Sequence, residues 1–258
     1  MLEAESSAAS LTQTDLDRCR AYLDYQANHS KQPSDSGVWP PAGPAITISY
    51  QTGAGAGEIA RQLATLLEGE EPEGSSPWGV FDRQLVEHAL EEHHLPKALA
   101  RHMTEDRRSY FDDVVDEFLG LRPPSWELMR VLIKSVRHLA YAGNVILVGW
   151  GAGVVTKDLP NVFHVRLVAS LEKRIERVQR LENLSSKEAA KLIEKKESGR
   201  GRYIKAYFRT QVDDDLHYHL VLNTDLVPPP AAAGFILYGA KKCFCIAREA
   251  GDRMLVNA

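Results

Sequence analysis

The sequence predicts an α/β fold in which helices cover both faces of a parallel sheet. From about residue 45 onward, short apolar runs typical of buried strands alternate with segments whose apolar residues recur at helical spacing. The first strand also runs directly into a glycine-rich loop, Gly53 to Gly57, and then into a helix. With 258 residues, 44% of them hydrophobic, the chain can fill the core of one large domain.

Composition limits the classes of partner. The net charge of -4 and the isoelectric point near 6.2 provide no general positive field, so we expect neither nucleic acid nor a membrane as a partner. The three cysteines, Cys19, Cys243 and Cys245, do not make a disulfide framework, and the acidic start of the chain does not match an export signal. No run reaches the ~20 apolar residues of a membrane span. We therefore expect a cytoplasmic protein.

The first 44 residues are predicted to be an appendage that the core does not need for folding. A helix is expected from Thr14 to about Asn28, and the segment from Ser30 to Pro44 has the Ser, Pro and Gly content of a linker. The helix is a candidate for docking a partner or a second copy of the chain. Its predicted apolar face consists of Leu16, Cys19, Tyr22 and Leu23. The folded domain is expected to span residues 45–250.

The first predicted unit is a strand at Ala45–Ser49, the glycine loop, and a helix. A short strand, Trp78 to Asp82, ends in an acid. Helical patterns then dominate from Gln84 to Ala142, which we expect to be an all-helical insertion; Pro123-Pro124 interrupts them and Ser125 is placed to cap the next helix. The apolar positions of the first helix are Ile59, Leu63 and Leu66.

Three further strands are predicted at Val145–Val148, Val162–Val168 and Tyr218–Leu222. Ser170 is expected to cap one helix, and Ser185 with Glu188 has the spacing of a capping box for a second, basic helix. A closing helix is expected over about Ala231 to Ala250. Its predicted packing residues are Phe235, Ile236 and Cys243.

The glycine loop predicts a phosphate site. Gly53, Gly55 and Gly57 let the backbone approach a ligand closely, and the following helix adds partial positive charge at its N-terminus. A ligand-free tight turn is the alternative. A dinucleotide-dependent oxidoreductase is a third hypothesis, but its fingerprint needs Gly-x-Gly-x-x-Gly rather than the spacing found here.

A basic segment follows the fourth strand. It combines Arg200 and Arg202 with Gly199 and Gly201, which suits a mobile lid over a transferring phosphoryl group. The segment forms either one long helix or a helix broken at the glycines, and a solvated charged face is the alternative function. The preceding helix places three arginines along one flank, namely Arg174, Arg177 and Arg180.

Taken in order, these features resemble the cytidylate kinase-like family of P-loop nucleoside monophosphate kinases, over about Ala45 to Ala240. The resemblance implies a three-layer α/β/α fold with a parallel five-stranded sheet, a helical monophosphate-binding insertion at about 84–142 and an arginine lid at about 185–215. It also implies transfer of the γ-phosphoryl group of Mg²⁺-bound ATP to CMP, dCMP or a related monophosphate. The segments that carry it are Ile46–Ser49, Gly53–Ile59, Phe81–Leu85, Val148–Ala152, Leu171–Val178, Gly199–Tyr203 and Leu220–Thr224.

The resemblance also implies roles for individual residues. Arg200 and Arg202 would be catalytic. The ATP phosphates would lie on Gly53, Ala54, Gly55, Ala56 and Gly57. The monophosphate would lie against Asp82, Arg83, Gly149 and Gly151. Further base or lid contacts would come from Arg174, Arg177, Tyr203, Asn223 and Thr224.

The chain departs from the family pattern at positions that usually carry charge or polarity. Tyr50, Gly57 and Trp150 stand where an arginine, a basic or polar residue and a second arginine are common, and Glu197 replaces a usual aspartate. Trp150 either stacks on a base or is a buried aromatic. Candidates to replace the missing cations are Arg61, Arg83 and Lys157. A catalytically impaired nucleotide sensor or scaffold is therefore the rival of the enzyme hypothesis.

The histidines predict no metal site. His93 and His94 are neighbours on a predicted helix and point about 100° apart. His217 and His219 would share a strand face, but the sequence places no further ligand beside them. We assign no metal ligand to the protein and expect Mg²⁺ to arrive with ATP.

Overall fold

The computed structural model describes residues 13–29, 43–72, 75–82, 126–149 and 151–256. Its strands are β1 Ala45–Tyr50, β2 Gly79–Phe81, β3 Val145–Val148, β4 Val162–Val168 and β5 Leu220–Asn223. The helices before β4 are α1 Gln13–His29, α2 Ala56–Glu68, α3 Trp126–Ala142 and α4 Ala152–Val155. The helices after β4 are α5 Leu171–Glu182, α6 Ser186–Phe208 and α7 Pro229–Val256, with a short 3₁₀ turn at Asp215–His217.

The five strands form one parallel sheet in the order β2-β3-β1-β4-β5. β1 lies at its centre, where Ile48 pairs with Val148 on one side and with Val165 on the other. The carboxyl end of β1 therefore opens between β3 and β4. This position is where open α/β sheets bind ligands.

Helices cover both faces of the sheet, as predicted. Alternate residues of each strand point to opposite faces, so Ile146 and Val148 pack with α2 and α7, whereas Val145 and Leu147 pack with α1, α3 and α4. The result is a three-layer α/β/α arrangement, and the predicted fold class is confirmed.

The N-terminal helix is present but packs against the sheet, although the sequence predicted an appendage. Cys19 and Tyr22 are fully buried in the cluster that also contains Phe81 of β2. The Tyr22 hydroxyl donates to the Gly143 carbonyl oxygen at 2.8 Å, and Arg18 pairs with Glu68 of α2 at 2.9 Å. The predicted docking residues Cys19 and Tyr22 therefore pack against the chain's own core. Removal of α1 would expose the apolar residues of the core that it covers.

Two apolar positions differ from the prediction. In α2 the buried position is Leu67, whereas Leu66 is 41% exposed. In α7 Ile236 is fully buried, but Phe235 is 54% exposed because neighbouring helical residues point about 100° apart.

The strand and insertion bounds also differ in part. Strand β5 begins at Leu220 rather than Tyr218, because Tyr218 and His219 connect the strand to the 3₁₀ turn that ends at His217. Most of the predicted helical insertion, with the Ser125 cap and the His93-His94 pair, lies outside the described residues. Among the described helices, none is both long and apolar enough to cross a bilayer.

Candidate functional site

The glycine loop joins β1 to α2 through two left-handed residues. Gly53 has φ of 88° and Gly55, the residue that precedes the first turn of α2, has φ of 86°. A Cβ on Gly53 would lie 2.7 Å from the Arg174 carbonyl oxygen, so α5 packs too closely for any side chain there. The loop conformation therefore depends on glycine at position 53.

The loop presents backbone N–H groups rather than side chains. Within the described part of the chain, no acceptor pairs with the N–H groups of Gly53, Gly55, Ala56 and Gly57. The N–H of Ala54 instead donates to the Gln51 carbonyl at 2.9 Å, and the side chains of Ala54 and Ala56 are buried in the core. Unpaired amides at the start of a helix attract anions.

Two arginines from α5 border this loop. Arg177 Nη1 donates to the Gly53 carbonyl oxygen at 2.6 Å. Arg174 is only 7% exposed, and its Nη1 lies 3.5 Å from the Thr52 carbonyl oxygen and 2.6 Å from Glu197 Oε1. The Nε of Arg174 is buried and has no hydrogen-bond partner among the described residues. Arg180, on the same helix, is exposed.

The predicted lid is one continuous helix. α6 begins with the capping box predicted at Ser185 and Glu188 and passes through Gly199 and Gly201 without a break. A Cβ added at either glycine would meet no atom within 4 Å, since both glycines lie on an open face. The structure thus selects the long helix over the glycine break.

Arg200 and Arg202 point to different places. Arg200 Nη1 donates to the Tyr50 carbonyl oxygen, its Nη2 donates to Thr52 Oγ1 at 3.2 Å, and its Cζ lies 4.7 Å from the centre of the Tyr50 ring. Arg202 is exposed. Tyr203 belongs to α6, but its side chain lies outside the described residues.

A pocket opens where the carboxyl end of β1 meets the turn after β3 and the lid. Gly149 and Gly151 adopt left-handed backbone with φ of 81° and 67° and line this pocket. Arg200 closes it from the lid side. The remaining lining residues are Ser49, Tyr50, Ala152, Gly153, Val154, Ile204, Val212 and Tyr218.

Sequence reasoning missed a buried cation beneath this pocket. Arg166 of β4 is 3% exposed; its Nη1 donates to Ser49 Oγ at 3.0 Å and its Nη2 pairs with Asp213. The Tyr218 hydroxyl lies 2.8 Å from the Val212 carbonyl oxygen and 3.2 Å from Ser49 Oγ. An arginine within a mostly apolar strand was the available signal, because such a charge must find partners when it is buried.

Next to Arg166 in the same layer lies a histidine pair. His164 Nδ1 is 2.8 Å from Thr47 Oγ1, and its backbone N–H donates to His219 Nδ1 at 2.9 Å. Burial, with a smaller contribution from the neighbouring His219, lowers the pKa of His164 to about 4. Burial also lowers the pKa of His219, whose Nδ1 accepts the hydrogen bond from the His164 backbone, so the geometry and both shifts favour neutral rings.

The predicted substitutes for missing cations have different fates. A Cβ on Gly57 would lie 3.7 Å from Arg61 Nη1, so a guanidinium from the next turn of α2 lies beside the position that lacks a charge. Lys157 is exposed, and Arg83 and Trp150 lie outside the described residues.

Three other predicted site residues lie away from the loop contacts. Asp82 directly follows β2, two strands from β1 in the sheet. Thr224 is buried and its hydroxyl donates to the Val168 carbonyl at 3.3 Å. Asn223 is exposed, and its side chain accepts from the Asp225 N–H at 2.9 Å. Asn223 and Thr224 thus shape the turn after β5.

Comparison with known proteins connects this geometry to a family. The family model described as the cytidylate kinase-like family matches residues 45–226. The chain belongs to the cytidylate kinase-like family. Membership of this family makes the chain a nucleotide kinase-like protein, and the matched range contains the loop, both α5 arginines and the lid.

A solved structure supports the family fold. The crystal structure of an uncharacterized protein from Eubacterium ventriosum ATCC 27560 is 17% identical, with a TM-score of 0.53, and the match covers 77% of this chain and 98% of that one. At this identity the likeness supports the fold alone. No curated protein sequence matches this member of the family.

Proposed function

We propose that this chain is a nucleoside monophosphate kinase, which transfers the γ-phosphoryl group of ATP to CMP, dCMP or a related monophosphate. The observation that carries the proposal is the convergence of unpaired loop amides with Arg174, Arg177 and Arg200 at the carboxyl end of β1. Phosphoryl transfer depends mainly on positioning and on neutralising charge. Amides and guanidinium groups supply both.

The ATP phosphates would lie on the loop from Gly53 to Gly57. The N–H groups there have no protein acceptor among the described residues, apart from that of Ala54, and the dipole of α2 adds partial positive charge. Arg177 and Arg61 border the two ends of this loop. They would partly replace the lysine that an ordinary P-loop supplies.

The acceptor monophosphate would lie in the adjoining pocket. Gly149 and Gly151 allow close approach of backbone, and the hydroxyls of Ser49 and Tyr218 offer hydrogen bonds. Arg166, which is paired with Asp213, donates to Ser49 Oγ at the pocket floor and so leaves the Ser49 hydroxyl proton available to the ligand. The acceptor and donor phosphates would then meet beside Arg200.

In this reaction an oxygen of the monophosphate attacks the γ-phosphorus of ATP, and the bond from that phosphorus to the β,γ-bridging oxygen breaks. The products are ADP and a nucleoside diphosphate. Arg200 would stabilise the negative charge shared by the attacking and leaving oxygens. To do so, its guanidinium must turn from the Tyr50 carbonyl toward the phosphoryl group.

Magnesium would come with ATP. In the described part of the chain, no group of three or more histidine, cysteine, aspartate or glutamate side chains is arranged to hold a metal. We assign no step of the proposed reaction to the ion.

The decisive experiment measures ADP formation with Mg²⁺-ATP and a panel of monophosphates. Arg200→Ala should lower turnover on the order of 10³-fold, as loss of a phosphate-facing arginine does in related chemistry. Lys195→Ala is the matched control, because Lys195 is exposed on the same helix, and its replacement removes the same charge and should leave turnover within a few-fold of the parent. Equal losses in the two variants would refute the assignment of Arg200.

A second candidate function is a nucleotide-binding sensor with little or no catalysis. Tyr50 favours it, because this residue stands where an arginine is common and its ring and carbonyl hold Arg200. Thermal-shift measurements with ATP and each monophosphate distinguish the two functions. Stabilisation by nucleotides without turnover would favour the sensor.

A further inference from the structure

The lid places a carboxylate on the phosphate loop. Glu197 Oε1 accepts from the Thr52 backbone N–H at 3.1 Å and from Arg174 Nη1 at 2.6 Å. One oxygen atom thus receives a loop amide and a guanidinium at the same time. This pair of donors is the set that a phosphate oxygen takes at such loops.

The surroundings of this position are cationic. Arg200 reaches Thr52 Oγ1 at 3.2 Å from the same helix as Glu197, one turn further along. Arg174 is nine-tenths buried, and its Nε has no partner among the described residues. A buried guanidinium N–H without an acceptor costs free energy, and a ligand that accepts a hydrogen bond from it removes that cost. Both observations point to an anion larger than one carboxylate.

We infer that Glu197 occupies a phosphate-oxygen position and competes with the polyphosphate ligand for it. The inference rests on the proposed function, since it concerns the site at which nucleotide phosphates would bind. A di- or triphosphate group that reaches Thr52 and Arg174 must expel the Glu197 carboxylate. Ligand binding therefore breaks one of the contacts that hold the lid against the loop, and the Glu197 carboxylate acts as an internal competitor.

If Glu197 competes with the ligand, its substitution should raise the affinity for polyphosphate, whereas substitution of a residue that binds the ligand lowers it. In Glu197→Gln the amide keeps one oxygen acceptor, but it loses the charge that holds Arg174, so the internal competitor is weakened. Affinity for polyphosphate should rise about tenfold, which corresponds to one charge-assisted hydrogen bond. A residue that only contacted the ligand would lower affinity when changed.

The experiment is titration calorimetry of the full chain with inorganic tripolyphosphate at fixed ionic strength. Glu194→Gln is the matched control, because Glu194 is exposed on the same helix and its change alters the net charge equally. Glu197→Ala is the second variant, and a thermal melt of each protein confirms folding. We expect both Glu197 variants to bind about tenfold more tightly than the parent and Glu194→Gln to stay within about twofold.

Three outcomes overturn the inference: equal affinities of parent and Glu197 variants, weaker binding by the variants, or no binding by any of the proteins. Parallel titrations with ATP keep the two proposals separate. Binding of ATP with no effect of Glu197→Gln would overturn the competition and leave the kinase proposal standing. The expected gain with tripolyphosphate, without any binding of ATP or monophosphates, would support the competition and refute the kinase proposal.

Discussion

Changing Tyr22 to phenylalanine tests whether α1 is an integral part of the domain. The Tyr22 side chain is fully buried, and its hydroxyl donates to the Gly143 carbonyl oxygen at 2.8 Å. Phenylalanine keeps the edge-to-face contact with Phe81, whose ring centroid is 5.7 Å away. The change removes the hydroxyl's hydrogen bonds with the Gly143 carbonyl and with the Gln26 side chain. The buried carbonyl then lacks its partner, which should lower the free energy of unfolding by about 1–3 kcal/mol.

The same hydroxyl gives a pH-dependent signature. Burial raises the pKa of Tyr22 well above its usual value of 10, and the nearby Cys19 adds to this shift. The folded protein therefore keeps the phenolic proton that the unfolded chain loses above pH 10. Stability from this group is fully present below pH 10 and falls as pH rises, with a limiting slope of about 1.4 kcal/mol per pH unit.

Urea denaturation at pH 7, and at steps from about pH 9 to 11.5, measures both effects. The parent should lose stability above pH 10 faster than Tyr22→Phe, so the gap between the two proteins narrows. Tyr238→Phe is the control, because this tyrosine is 65% exposed and should change stability by no more than about 0.5 kcal/mol. Equal stability of Tyr22→Phe and parent at pH 7 would refute the packing of α1 against the sheet.

Two further predictions concern the sheet and the glycines. Because burial and then His219 lower the pKa of His164 to about 4, stability present above pH 6.5 should be lost as pH falls toward 4, and His164→Gln should flatten that decline in melting temperature. If the melting temperatures of the parent and of His164→Gln fall equally with pH, burial does not lower the pKa of the His164 ring. Gly53→Ala should lower the free energy of unfolding by about 1–3 kcal/mol, because φ is 88° and its Cβ would meet α5. Gly199→Ala, on an open helical face, should instead raise the free energy of unfolding by about 0.5–1 kcal/mol. A Gly53→Ala variant more stable than Gly199→Ala would contradict the described loop and helix.

Local signals predicted most of the fold. β4 matches its predicted bounds, and the capping box at Ser185 and Glu188 forms, because alternation and capping depend on residues a few positions apart. Likewise the left-handed backbone at Gly53 and Gly55 follows from the turn itself. These features need no knowledge of distant segments.

Contacts between distant segments were not predictable in the same way. The burial of Tyr22 depends on Gly143, 121 residues away in the chain, and the Glu197 contact depends on Thr52, 145 residues away. Neither pairing has a periodic signature. Arg166 could be noticed in the sequence only as a charge inside a mostly apolar strand, and its partners Ser49 and Asp213 come from other parts of the chain.

Because α6 is unbroken, the proposed lid has no hinge at its glycines. The residues directly after α5 and α6, Asn183 and Arg209, both have left-handed backbone, with φ of 52° and 54°. Since α6 is continuous through its glycines, we propose that a movement of the lid would rotate the whole helix about these ends. Arg200 lies about 22 Å along the axis from the Ser185 cap, so a rotation of about 10° at that end displaces its backbone by on the order of 4 Å. Under this proposal, a small rotation at one end would move Glu197 and Arg200 together relative to the loop.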